Sequence, residues 1–225
     1  MVTIQQITPE YLAKLRTELV AQFPGARFGW PADAKTAALD ELLRALSDGR
    51  EEAIQETLTA HPYAIQYAVD YSGHHGIWAF PKQMIKPSAA DGTSGLIPDY
   101  LIVTRSSLGY FWYIIELKRF DAQFANADGT GYSKEGHKAL AQCNAYLAHF
   151  RDYIDTVRSN VRIPELIQPE GVILLIGDSE KESEAQRQCR EDFVRSNPKI
   201  NVVSYRRIIR GLESDLRVRS QSAGQ

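Results

Sequence analysis

Along the chain, apolar residues first recur at helical spacing and then, beyond His61-Pro62, gather into short continuous runs. Thr8-Pro9-Glu10 reads as an N-cap with proline at the first helical position, opening a helix to about Ala21 that stops before Pro24-Gly25. Leu39, Leu42, Leu43 and Leu46 mark a second helix over 34–46, ended by Asp48-Gly49. Asp48, with Glu51 three positions on, is a capping-box pattern for a third helix reaching about Ala60. Residues 63–71 carry no clear period, 77–80 read as a short strand, and 88–95 as a loop of small residues. Two strong strands follow, 97–104 and 110–117. The second is nearly all apolar, which predicts a central strand covered on both faces.

A loop rich in Gly, Asp and Asn over 121–132 leads to Ser133, which caps a long helix with Gly136 in its first turn. Leu140, Cys143, Leu147, Phe150, Ile154 and Val157 mark its buried face. A buried strand at 172–176, a polar helix over 183–196 and a last strand at 200–204 complete the pattern, and the Ser/Gln/Ala/Gly tail beyond Arg219 reads as loose. Strand 110–117, the long helix and strand 172–176 make a βαβ unit with parallel strands, while the earlier strands are linked as hairpins. The expected fold is therefore α/β, a mixed central sheet flanked by helices. Residues 1–31 read as a short helical N-terminal arm, 32–219 as one domain and 220–225 as a flexible tail.

Composition narrows this picture. The chain has 225 residues, 44% of them hydrophobic, enough for one sizeable core. No apolar run is long enough for a membrane helix, and the N-terminus lacks a basic-then-apolar signal pattern, so no membrane partner is expected. Only two cysteines, Cys143 and Cys189, stand far apart, which argues against a disulfide framework and for a reducing, cytoplasmic setting. The net charge of −2 weighs mildly against a partner gripped by its phosphates. Local basic groups at Lys82 and Lys86, Lys118 and Arg119, Lys134 and Lys138, and Arg206, Arg207 and Arg210 can still form a rim; the last group also reads as a solvated helix face.

The candidate chemistry lies on the 97–118 hairpin. With its turn centred between Ser107 and Leu108, Asp99 falls opposite Glu116 on the same face, Cβ atoms about 5 Å apart. Glu116 and Lys118 are two apart and share that face. A slip of one residue would remove Asp99 from it. Two opposed carboxylates repel, and a hard divalent cation relieves the conflict. Mg²⁺ or Mn²⁺ suits oxygen ligands, polarises a phosphodiester and acidifies a bound water, while an ammonium at Lys118 can hold that water or stabilise developing charge. An E-x-K pair alone is more often a solvated strand edge. Its place at the end of an apolar strand, facing Pro98-Asp99, raises its weight. His74-His75 reads as a loop, Cys143 as core packing, and no G-x-S-x-G context supports a serine nucleophile.

Pro98-Asp99 followed by Glu116-Leu117-Lys118 resembles the signature of the PD-(D/E)xK nuclease superfamily. The surroundings, Ile97 through Ile102, Trp112 through Lys118, and Ser133-Lys134-Glu135 continuing to Ala139, Gln142 and Tyr146, resemble the Shedu anti-phage defence family. So do Glu52 to Gln55, Leu58 and His61-Pro62, then 171–177 and 203–208, so the likeness spans roughly 50–210. The resemblance implies a restriction-endonuclease-like αβββαβ core and an Mg²⁺- or Mn²⁺-dependent deoxyribonuclease, an endonuclease or exonuclease acting on DNA in antiviral defence. It implies Asp99, Glu116 and the Leu117 carbonyl as metal ligands, Lys118 and Gln142 as catalytic, and Glu135, Tyr146 and Glu52 as supporting residues. Positions 135, 138, 142 and 146 fall at helical spacing, so they can form one stripe facing the site, or plain helix surface. Members often carry Gly-Arg where this chain has Gly177-Asp178, and often have a larger N-terminal region. A homo-oligomer would reconcile the low charge with DNA binding by pooling basic rims. The rival expectation is a non-catalytic module of the same fold that binds nucleic acid or a partner.

Overall fold

The computed structural model describes residues 8–69, 76–88 and 94–222. Six strands form one sheet in sequence order: β1 (Arg27–Gly29), β2 (Ile77–Pro81), β3 (Tyr100–Ser106), β4 (Gly109–Leu117), β5 (Gly171–Leu175) and β6 (Ile200–Val203). β1 to β4 pair antiparallel; β4, β5 and β6 pair parallel. Helices α1 (Pro9–Gln22), α4 (Lys134–Val161) and α5 (Glu184–Ser196) pack on one face. On the other lie α2 (Thr36–Asp48), α3 (Glu51–Ala60), a 3₁₀ segment (Pro62–Ala68) and α6 (Tyr205–Ser222). The fold is α/β, a mixed sheet flanked by helices.

Strand alternation sorts the two cores. Trp78, Phe80, Leu101, Val103, Trp112 and Ile114 point toward α4, while Ile77, Ala79, Tyr100, Ile102 and Ile115 point toward α3 and α6. Both faces are buried, which is why β4 shows almost no polar alternation. Caps begin the helices where the sequence places them. Thr8 Oγ accepts from the Tyr11 amide at 3.2 Å and Ser133 Oγ from the Gly136 amide at 2.9 Å. The capping box sits at Ser183 and Gln186, not at Asp48 and Glu51. Asp48 closes α2, Gly49 turns the chain at φ +78°, and the Asp48 carboxylate pairs with Arg50.

Several boundaries differ from expectation. The strand expected at 97–104 begins only at Tyr100, and residues 63–68 form the 3₁₀ segment. Strand β1 and helix α6 are additional elements. The expected loose tail is helical to Ser222, because Ile208, Ile209 and Leu212 upstream anchor α6 in the second core. The segment read as an arm supplies Leu19 and Phe23 to the first core; Trp78 Nε1 donates to the Leu19 carbonyl at 2.8 Å, and β1 pairs with β2. His74-His75, part of the 88–95 loop and residues 223–225 lie outside the described residues. Among the described residues no helix is long and apolar enough to cross a membrane.

Candidate active site

The hairpin register decides the site. Ser106 pairs with Gly109 and Tyr100 with Ile115, so Asp99 stands one step beyond the ladder and on the line opposite Glu116. Asp99 has left the strand, yet its carboxylate still reaches it: Oδ2 accepts from the Leu117 amide at 2.6 Å. The Lys82 amide donates to the Asp99 carbonyl at 2.9 Å, and the Lys82 ammonium pairs with Asp99 Oδ1. Glu116 Oε1 receives the Lys118 ammonium at 2.6 Å and Oε2 the Tyr146 hydroxyl at 2.8 Å. Asp99, Glu116, Lys118 and Tyr146 are all buried.

The strand end that carries Lys118 is held from two sides. Its amide donates to the Leu175 carbonyl at 2.8 Å, and the Tyr205 hydroxyl donates to its carbonyl at 2.7 Å. Burial, then the nearby Asp99 charge, push the Glu116 carboxyl above its usual range against the pull of Lys118 and Tyr146. Burial alone would lower the Lys118 ammonium, but the charge and hydrogen bond of Glu116 outweigh it and hold the proton more firmly. Burial, then Glu116, raise the Tyr146 hydroxyl, so it remains a donor. The Cys143 thiol is pushed up to about 12 by burial first and Glu116 second, in keeping with a packing role.

Helix α4 supplies the third wall. Gln142 stands one turn before Tyr146, and its Oε1 is buried with no hydrogen-bond partner among the described residues. Glu135, in the first turn, is exposed, and its charge reaches Arg119 rather than the buried pair. On α3 the structure differs from the expected carboxylate. Glu52 is exposed and its charge reaches Arg50, whereas the half-buried Glu51 is felt by Lys118, Arg119 and Tyr205. Positions 51, 55 and 59 share a helix face, and the hydroxyl of Tyr100, the residue after Asp99 in the chain, donates to the Gln55 carbonyl at 2.6 Å and meets Thr59 Oγ at 2.8 Å. Glu52 points about 100° away around the helix. Sequence reasoning also missed Lys82 as a partner of Asp99, since nothing local to Pro81-Lys82 announces a contact across the hairpin.

Past β5 the chain carries Gly177-Asp178, and an arginine reaches the position from elsewhere. Arg206 Nε and Nη2 donate to the buried Asp178 carboxylate at 3.0 and 2.6 Å. Burial would raise that carboxyl, but the guanidinium and the Glu180 amide hold it below its usual range. Arg206 also lies 6.0 Å from the Phe120 ring, with the Lys181 ammonium at 5.5 Å.

Two carboxylates and two ammonium groups make this cluster neutral overall. Among the described residues no three His, Cys, Asp or Glu side chains gather as a metal-holding group. The donor set is still suited to a hard divalent ion that keeps several waters and needs few protein oxygens. Asp99 and Glu116 offer carboxylate oxygens, and Gln142 Oε1 offers a buried oxygen that no protein donor satisfies. In comparisons with known proteins, no family model matches the chain and no curated protein is recognisably similar to it.

Proposed function

We propose that this chain is a divalent-metal-dependent nuclease that hydrolyses phosphodiester bonds of DNA. One observation carries the reading. Asp99, Glu116 and Lys118, distant or offset in sequence, come together at the buried end of a central strand, and α4 carries the unpartnered Gln142 oxygen one turn before Tyr146, which holds Glu116. Burying three charged groups is costly, and a plain structural site is better served by apolar residues. The order α3-β2-β3-β4-α4-β5 agrees with the αβββαβ core that the resemblance implies.

Asp99 and Glu116 would hold Mg²⁺ or Mn²⁺, with the Leu117 carbonyl as a third ligand. When bound, the ion would polarise the phosphodiester and acidify a bound water, so that the water releases a proton to solvent before it attacks. Lys118, fixed by Glu116, directs a proton donor toward that water and toward charge developing on the phosphate. Tyr146 holds Glu116 in place, and Gln142 orients water through its free oxygen. The defence setting, the homo-oligomer and the cytoplasmic location remain part of this proposal and rest on the resemblance and the cysteine usage.

The neutral arrangement favours a second reading. Each carboxylate already has an ammonium partner, so the cluster is electrostatically complete as the core of a non-catalytic binding module. Assays on linear and circular DNA with Mg²⁺, Mn²⁺ or EDTA separate the two. The nuclease predicts metal-dependent cutting that Asp99→Ala and Lys118→Ala each abolish. Cutting that survives both substitutions contradicts the assigned site, and DNA binding without cutting under every condition supports the binding module.

A further inference from the structure

The two ion pairs of the candidate site are built differently. Lys118 and Glu116 are sealed, with side chains 8% and 5% exposed. Lys82 is 51% exposed while its partner Asp99 is 11% exposed. The first pair is fixed; the second joins a buried acid to a lysine whose own ammonium loses little on returning to solvent, so that the pair can open when another cation takes its place at Asp99. Lys82 also has a left-handed backbone, φ +49°, one of only two non-glycine residues with positive φ among the described residues. That conformation is unfavourable for a lysine. Here it sets the Lys82 amide on the Asp99 carbonyl while the same residue's ammonium meets the Asp99 carboxylate.

Lys82 faces a second feature. It lines a groove of 840 Å³ between α3 and the β1–β2 edge, together with Arg27, Gln55, Glu56 and Thr59. Gln55 and Thr59 belong to the α3 face that holds Tyr100 beside Asp99. Lys82 thus stands between this groove and the Asp99 carboxylate, with an ammonium able to serve either. Among the charged lining residues Arg27 balances Glu56 while Lys82 is paired with Asp99, and the groove gains a net positive charge when the Lys82 ammonium turns into it.

We infer that Lys82 is a displaceable counter-ion: it neutralises Asp99 in the ion-free protein, and yields that carboxylate to a divalent cation as its ammonium moves to a phosphodiester in the groove. The inference rests on the nuclease reading and adds a coupling to it. With two lysines present, the four-residue cluster is neutral, and a cation alone would leave it doubly positive. A phosphodiester that receives Lys82 offsets part of that charge. Cation and nucleic acid therefore each favour the other's binding, in the reciprocal manner that linkage requires.

The test measures binding, not turnover. Calorimetry with Mn²⁺ alone and fluorescence anisotropy with a labelled linear duplex in Ca²⁺ are run on wild type, Lys82→Gln and Asp99→Ala, with thermal melts as a folding control. Lys82→Gln is expected to bind Mn²⁺ about tenfold more tightly, within the ordinary range of coupling, and the duplex more weakly. Lys82→Arg should restore duplex binding. Opposite signs on the two ligands are something a merely structural lysine would not produce. If Lys82→Gln weakens both ligands, or changes neither, the counter-ion role is wrong while the nuclease reading stands. If neither wild type nor Lys82→Gln binds Mn²⁺ differently from Asp99→Ala, the metal reading itself fails, and this inference with it.

Discussion

At the residue scale, the site depends on charges that cannot stand alone. Lys118→Met would leave the Glu116 carboxylate buried with only Tyr146 as donor, and breaking a buried pair from one side costs about 3 kcal/mol or more. Urea denaturation should register that loss, and the double change Glu116→Gln with Lys118→Met should recover part of it. Asp178 illustrates the opposite sign of exposure to acid. Its folded-state pKa is depressed by Arg206, so the pair stabilises the fold above the ordinary carboxylate range and loses that contribution as pH falls through the folded value. Asp178→Asn should therefore be less stable than wild type at neutral pH, and the two stability curves should converge in strong acid. A gap that persists unchanged into strong acid would show that Arg206 acts through packing.

At the element scale, the candidate site is a product of register, and this much is legible in the sequence. Ser107 and Leu108 form the turn the residue pattern implies, so Asp99 lands opposite Glu116 although it lies outside the ladder. Strands β4 and β5 and helix α4 are legible because their apolar runs and caps agree at every level. β1 is only three residues long, too short for a period; α6 does carry one, through the buried Tyr205, Ile208, Ile209 and Leu212, but Arg206, Arg207 and Arg210 draw the reading to its solvent face. Glu51 was missed for a similar reason: a helix phase error of one residue exchanges an inward carboxylate for an outward one. The start of α4 carries its own prediction. A Cβ at Gly136 would lie 2.2 Å from the Phe124 carbonyl oxygen, which is backbone and cannot rotate away. Helix propensity favours alanine over glycine by roughly 1 kcal/mol. Overpacking of this kind costs about 1–3 kcal/mol, so Gly136→Ala should lower the melting temperature. Because α4 carries Tyr146 and Gln142, it should also weaken Mn²⁺ binding; a rise in melting temperature would mean that the 121–132 loop shifts freely.

At the scale of the whole molecule, the N-terminal helix belongs to the core. Phe23 meets Trp78, Phe80, Tyr110 and Trp112 at centroid distances of 5.3, 6.4, 5.3 and 5.6 Å. Phe23→Ala should cost about 3–5 kcal/mol in a single cooperative transition, as for other large-to-small core changes. A separate early transition would instead mark α1 as an independent arm. The net charge of −2 also acquires a local meaning. The candidate site is balanced rather than acidic, and on the proposed reading a cation enters only where an ammonium group gives way. Anomalous diffraction from crystals grown with Mn²⁺ tests that capacity most directly. The account predicts one Mn²⁺ in direct contact with the carboxylates of Asp99 and Glu116, with Lys82 turned away; Mn²⁺ bound only elsewhere, with both lysines still paired, would contradict it.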